Sequence, residues 1–174
     1  CVVEVMLTTA DEALASRLEP AESTVGERLE LLRALRDAGI PTVVTLGPVL
    51  PYLTDSLENL EALLGDCVEA RVYGVIQNGF GVTLRAGSSA YFFSYLRELD
   101  PELPEKYEAL LPPGKPRKAG MFLSPNAAAL ADFFQKSTAA CRLVTDQEAL
   151  FAYRHAFLDR RAGQQLSLFD LFET

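Results

Sequence analysis

Gly39–Asp55, GIPTVVTLGPVLPYLTD, decides how the rest of the chain is read. Gly39 follows a helical pattern and is the expected stop, because a helix end favours a residue that tolerates positive φ. Thr42, Val43, Val44, Thr45 and Leu46 form a near-continuous strand run. Such a run fits a strand covered on both faces in a parallel sheet. Pro48 and Pro51 end it, since neither offers the N–H a ladder needs. Ligands of α/β folds bind beyond the carboxyl ends of parallel strands, so the loop GPVLPYLTD is the first place to look for a site.

Working outward, Val2–Leu7 (VVEVML) reads as a strand with Thr8 and Thr9 at its carboxyl end. Asp11–Leu18 reads as a short helix closed by Glu19 and Pro20. Thr24 and Glu27 form a capping box. The helix it opens keeps Val25, Leu29, Leu32 and Leu35 on one face, which is helical periodicity. Downstream, Asp55 and Glu58 read as a second capping box, opening a helix that carries Leu57, Leu60, Leu63 and Leu64. Ala70–Ile76 (ARVYGVI) reads as a third strand. The order β, α, β, α, β with helix-length crossovers implies parallel strands and right-handed connections.

Beyond that unit the sequence predicts a turn-rich loop over Gln77–Gly87 and an aromatic helix over Ser89–Leu99. A helix over Pro101–Leu111 and a loop over Pro112–Phe122 follow. Ser124 and Pro125 fit an N-cap and first helical residue, opening a helix to Cys141. A last helix runs from Asp146 to Arg161, and Gly163 releases the tail QQLSLFDLFET. Three parallel strands do not close a barrel and leave an apolar edge. Two arrangements answer this: half of a barrel whose preceding part is absent, or a small three-layer α/β domain with C-terminal helices over its edge. The chain opens at Cys1, directly on a strand, which favours the expectation that an N-terminal part is missing.

The bulk numbers exclude several classes. No apolar run is long enough for a membrane helix, and no signal peptide with a basic start is present. Sixteen Lys and Arg against 24 Asp and Glu give a net charge of −8, which opposes broad phosphate binding. Lys115, Arg117 and Lys118 form one small basic patch. Cys1, Cys67 and Cys141 lie too far apart in sequence for a zinc motif or a disulfide framework, so a reducing cytoplasm is the expected compartment.

Two long stretches, VVEVMLTTADEALASRLEP and ERLELLRALRDAGIPTVVTLGPVLPYLTD, resemble the fourth and fifth β/α units of radical SAM proteins. The resemblance is closer to the spore photoproduct lyase-like branch. YGVIQNGFGVTLRAGSSAYFFSYL, Ser124–Asn126 (SPN) and the closing QQLSLF are similar to the C-terminal region of that branch. The resemblance implies an α/β fold. Residues 1–88 would be the C-terminal half of a partial (β/α) barrel, three parallel strands with crossover helices. A helical C-terminal region would follow over 89–162 and a flexible tail over 163–174. It further implies S-adenosylmethionine and a [4Fe-4S] cluster held by a CxxxCxxC loop. That loop is absent here, so the parent is expected to be the enzyme, perhaps acting in DNA repair, while this fragment alone is inactive.

Residue by residue, the family's polar contact near the end of the fourth strand aligns with Met6, which leaves Thr8 and Thr9 as the nearest hydroxyls. Arg17 matches a basic residue that pairs with the cofactor carboxylate, a pairing that suits the planar guanidinium fork. Its alternative is a surface pair with Glu19 or Asp11. Leu46, Pro48 and Val49 match the stretch that packs on adenine, and for Pro48 the alternative is plain strand termination.

Other candidates carry less. His155 stands beside Tyr153 and Phe157 in a helix pattern, which fits packing. NGFG at Asn78–Gly81 is no phosphate loop; it reads as a turn, or as a loop facing a substrate cavity with Arg85 available to an anion. Tyr91, Phe92, Phe93 and Tyr95 can stack a base or pack a core. Gln165, Leu166, Ser167, Leu168 and Phe169 match the short peptide with which bacterial replication and repair proteins bind the DNA polymerase sliding clamp. Its leucine and phenylalanine would anchor in an apolar pocket; the alternative is a tail docked on its own core. The partners expected are therefore the N-terminal half of the barrel, the sliding clamp and, through the parent, nucleic acid.

Overall fold

The computed structural model describes residues 2–111 and 120–150. In chain order these form β1 (Val3–Leu7), α1 (Glu12–Leu18), α2 (Val25–Asp37), β2 (Thr42–Leu46), α3 (Leu57–Glu69) and β3 (Gly74–Gln77). There follow β4 (Gly81–Leu84), α4 (Ala86–Leu99), α5 (Leu103–Ala109), β5 (Gly120–Leu123) and α6 (Ala127–Cys141). The mixed α/β architecture with a three-stranded parallel sheet is the one expected.

The sheet runs β1-β2-β3, with Val5 opposite Val44 and Val44 opposite Val75. Alternation sends Val5, Leu7, Val44, Leu46 and Val75 to one face. There they meet Leu29 and Leu32 of α2 and Leu60, Leu63 and Leu64 of α3. Both crossover helices share that face, because successive strands lie side by side and the crossovers keep one hand. Leu32, Val44 and Val75 are fully buried, each stabilising the fold by about 2 kcal/mol. The opposite face carries Glu4, Met6, Val43, Thr45 and Ile76, and Met6 at the end of its row is 49% exposed.

Local signals explain the helix starts. Asp11 accepts from the Ala13 and Leu14 amides, capping α1. Thr24 and Glu27 form the complete capping box of α2. Thr24→Ala is expected to lower the unfolding free energy by about 1 kcal/mol, read as a shift in urea midpoint at unchanged slope. Gly39 ends the segment at φ +71°. The second box differs from expectation: Ser56, not Asp55, caps α3 by accepting from the Asn59 amide. Asp55 is occupied elsewhere.

Cys67 sits at the inner end of α3, fully buried. Burial, and next to it the charge of Asp66, push its thiol from 9.0 to about 12. The sign follows from linkage: the unfolded thiol ionises first, so its contribution to stability is intact below pH 9 and is lost as pH rises through 12. In a Cys1→Ser/Cys141→Ser variant, Cys67 is expected to react with Ellman's reagent at the rate of unfolding. Fast labelling of the native chain would contradict this burial.

The second half departs most from the sequence reading. Gln77–Gly87, expected as a loop, contains β4, and β5 falls where the loop over Pro112–Phe122 was expected to end. The two strands pair antiparallel, with Val82 opposite Phe122. The region is therefore not purely helical. A four-residue strand partnered 40 positions away leaves no local period to find. The third strand starts at Gly74 rather than Ala70, because Ala70 and Val72 complete a turn in which Arg71 adopts φ +53°. Ser124 and Pro125 precede α6, whose N-cap is Asn126, and α5 starts at Leu103 with Pro104 in its first turn.

The aromatic run sorts as its helical angles require. Phe92 and Phe93 turn inward to Tyr107, and Phe93 also meets Phe122. Tyr91 is 78% exposed. These rings, with Leu84, Leu96 and Leu103, form a second core that also takes in Leu53. The strand-end loop thus joins the two cores. His155, the basic patch over 115–118, the end of the last expected helix and the tail lie outside the described residues.

Candidate functional site

The carboxyl ends of β1, β2 and β3 are gathered by a set of buried polar side chains. Gly47 leaves β2 at φ +122°, and a Cβ there would come within 3.1 Å of the Val49 amide nitrogen. The chain then runs through Val49 and Leu50, both buried. The Leu50 amide donates to the Thr54 hydroxyl at 2.8 Å. Asn59, on the first turns of α3, ties this loop to β1. Its carboxamide oxygen accepts from the Thr9 hydroxyl and the Ala10 amide, both at 2.9 Å. Its NH2 donates to the Thr54 carbonyl at 2.9 Å.

Asp55 is the second organiser, and it is 6% exposed. One carboxylate oxygen accepts from the Tyr52 amide at 2.7 Å and the other from the Ser124 hydroxyl at 2.6 Å. The Asn126 NH2 donates to the Asp55 carbonyl at 3.1 Å. The Tyr52 backbone is left-handed at φ 64°, a conformation costly for a bulky residue and held here by that carboxylate. The Tyr52 ring stands edge-on to Tyr107, with centroids 6.1 Å apart. Tyr107 is fully buried and its hydroxyl has no partner among the described residues. Burial first, then the charges of Asp55 and Tyr52, push its phenol far above the ordinary tyrosine range.

A third group guards the free side of β1. The Thr8 hydroxyl donates to Glu19. Glu19 pairs with Arg28 at 2.6 Å, and Arg28 donates to the Met6 carbonyl at 3.2 Å. On the face opposite the crossover helices, a cavity of about 200 Å³ lies over Val43 and Ile76, with Glu4 on one side and Asn78, Gln147 and Leu150 on the other.

The residues singled out from the sequence fall into distinct places. Thr8 and Thr9 are both buried at the expected strand end, with their hydroxyls donating to Glu19 and Asn59. Leu46 and Val49 belong to the helix-side core, while Pro48 between them is exposed. Arg17 pairs with neither Glu19 nor Asp11; it reaches only the Leu99 carbonyl at 3.4 Å. It also lies near Tyr95, whose phenol is raised chiefly by burial and lowered by Arg17. Gln165–Phe169 lie outside the described residues. Sequence reasoning missed Glu4, Asp55 and Ser124. Glu4 carried one signal, a lone charge inside an apolar strand. Asp55 and Ser124 were masked by fitting helix-cap patterns just as well.

No family model and no solved structure matches the chain. It is similar to proteins described as uncharacterized from Mycobacterium bovis (strain ATCC BAA-935 / AF2122/97) and from two strains of Mycobacterium tuberculosis, CDC 1551 / Oshkosh and ATCC 25618 / H37Rv. Each is 38% identical over 124 residues, which is 71% of this chain and 34% of the relative. The chain therefore spans about a third of the length of the curated relatives it matches.

Proposed function

We propose that this chain is the C-terminal wall of a radical SAM barrel similar to spore photoproduct lyase, working only with a preceding half. The observation that carries the reading is the sheet. Its crossover helices cover one face, a cavity lies on the other beneath Gln147 and Leu150, and the outer edge of β1 carries pairing groups without partners among the described residues. A β/α barrel cut through its wall has these three properties. The strand-end residues give partial support. Arg17 and Pro48 are available at the surface to meet a carboxylate and an adenine ring, and Thr8 and Thr9 would have to exchange their present acceptors.

The cluster does not fit this chain. Among the described residues no three His, Cys, Asp or Glu side chains are grouped to hold a metal. Cys67 is buried with a raised thiol, the opposite of what a thiolate ligand needs. S-adenosylmethionine would supply radical chemistry only with the parent's cluster; in this chain Arg17 would hold the cofactor carboxylate, and Leu46, Pro48 and Val49 would pack on its adenine. Asp55 and Asn59 would act at one remove, by fixing the loop between β2 and α3.

The test is the full-length reading frame, reconstituted anaerobically with iron and sulfide. Dithionite-dependent release of 5′-deoxyadenosine is expected, and the 174-residue chain alone should release none. Arg17→Ala in the full-length protein should weaken cofactor binding about tenfold, the worth of one charge-assisted hydrogen bond. An upstream frame without CxxxCxxC, or a reconstituted protein that releases no product, would overturn the reading.

A second reading rests on Gln165–Phe169, which matches a clamp-binding peptide just after Gly163. The two readings are compatible if an enzyme is recruited to replicating DNA. In an anisotropy titration of the labelled chain against a bacterial sliding clamp, Leu168→Ala/Phe169→Ala should weaken binding at least about a hundredfold, as for loss of two buried anchors. Unchanged binding would remove this reading.

A further inference from the structure

We propose that the face of the parallel sheet opposite the crossover helices binds a small organic cation, a guanidinium or ammonium compound, with Glu4 as its anionic partner. The inference goes beyond the cofactor reading and does not need it, since every residue it uses is in this chain. Glu4 shares its row with Val43 and Gly74, two residues before the row of Met6, Thr45 and Ile76 on the same face. Glu4 is exposed, and the Thr45 hydroxyl donates to one of its carboxylate oxygens, which fixes the carboxylate over the sheet. The other oxygen has no donor among the described residues, and Glu4 has no ion pair among them.

Of the acidic side chains beside it, Glu19 is taken by Arg28 and Thr8, and Glu22 lines the neighbouring hollow with Glu4, Met6 and Arg28. Glu4 is thus a carboxylate held at the edge of a cavity, and among the described residues no cation pairs with it; the nearby Arg28 is paired with Glu19.

The far wall sets the rest of the ligand's chemistry. The Gln147 NH2 donates to the Asn78 carboxamide oxygen at 3.5 Å, and the Gln147 oxygen has no donor among the described residues. Between the two walls the floor is apolar, Val43 and Ile76, and Leu150 closes the side over Gly74. An acceptor at each end of a short apolar floor suits a donor-rich cation with a small apolar body. A phosphate or carboxylate compound would meet the Glu4 charge with no compensating base. At about 200 Å³ the space is well below the roughly 300–1,000 Å³ of drug-sized pockets, so the ligand is small.

The probes are methylguanidinium and n-propylammonium, titrated into the full 174-residue chain at low salt. Acetate and acetamide serve as controls of similar size. The readout is the methyl NMR shifts of Val43 and Ile76. Saturable shifts are expected with at least one cation, at about millimolar affinity, weakening as salt is added. Neither control should produce them. Glu4→Gln should weaken binding about tenfold while the circular dichroism spectrum is unchanged. Thr45→Val, which keeps the charge but frees the carboxylate, should weaken it by a smaller factor. No saturable shift with either cation, or equal binding by Glu4→Gln, would overturn the proposal. Because no iron, S-adenosylmethionine or upstream segment enters the titration, its failure leaves the cofactor reading untouched.

Discussion

Asp55→Ala is expected to destabilise the chain by about 3 kcal/mol. The carboxylate is buried and takes hydrogen bonds from the Tyr52 amide and the Ser124 hydroxyl, so its removal strands two donors in the joint between the cores. Each orphaned donor costs about 1–3 kcal/mol, and relief of the buried charge offsets part of that. Asp55→Asn keeps one acceptor and lets the serine hydroxyl accept from the new amide, so about 1 kcal/mol is expected. Urea unfolding of the three proteins measures this. Hydrogen exchange should localise the Asp55→Ala effect to Tyr52–Asp55 and to the start of α6 at Ala127. If alanine and asparagine prove equally mild, the joint is held by packing of Leu53 and not by the carboxylate.

Gly81→Ala carries an effect at least as large, and for a different reason. A Cβ at Gly81 would stand 2.4 Å from the Phe122 carbonyl oxygen and 2.9 Å from the Leu123 Cα. Both are backbone atoms that cannot swing aside, so β4 and β5 must separate. Separation withdraws Phe122, which is 1% exposed, from its contacts with Phe93 and Tyr107. Loss of about 3 kcal/mol or more follows, comparable to emptying an aromatic core position. Gly65→Ala is the matched control. Gly65 lies inside α3 with nothing within 4 Å of its would-be Cβ, and alanine there should stabilise by about 0.5–1 kcal/mol. Native-state near-ultraviolet circular dichroism separates the outcomes: Gly81→Ala should lose the tyrosine signal while Gly65→Ala keeps it. An unperturbed Gly81→Ala would mean the ribbon has slack that its backbone spacing does not show.

These two sites also mark how far the residues alone could be read. The parallel sheet was legible because each strand is an apolar run, β2 lies between Gly39 and Pro48, and each helix between the strands repeats near 3.6 residues. The cap at Thr24 was legible because both halves of its box lie within four positions. Asp55 was not, because an acid before a helix looks the same whether it caps that helix or reaches 69 residues along the chain to Ser124. Gly81 read as a turn glycine for a similar reason. Sequence reports that a glycine is present, and only the partner strand reveals that close approach, not positive φ, requires it. Thr9 was placed correctly at a strand end, but its partner Asn59 lies 50 residues away and has no local signature.

The two outer edges of the parallel sheet are unequal. On the β3 side, the Val75 amide donates to the Val144 carbonyl at 2.8 Å, and Gly74 leaves the room that Val144 and Leu150 fill. That edge is closed by the chain's own backbone. On the β1 side the Met6 carbonyl accepts from Arg28, and no strand pairs with β1 there among the described residues. Growth by strand pairing is therefore one-sided. Among the described residues an added strand meets β1, while Val144 already pairs at the start of β3, which disfavours growth from both edges at once. The bare edge is tolerable because the other one is already shut.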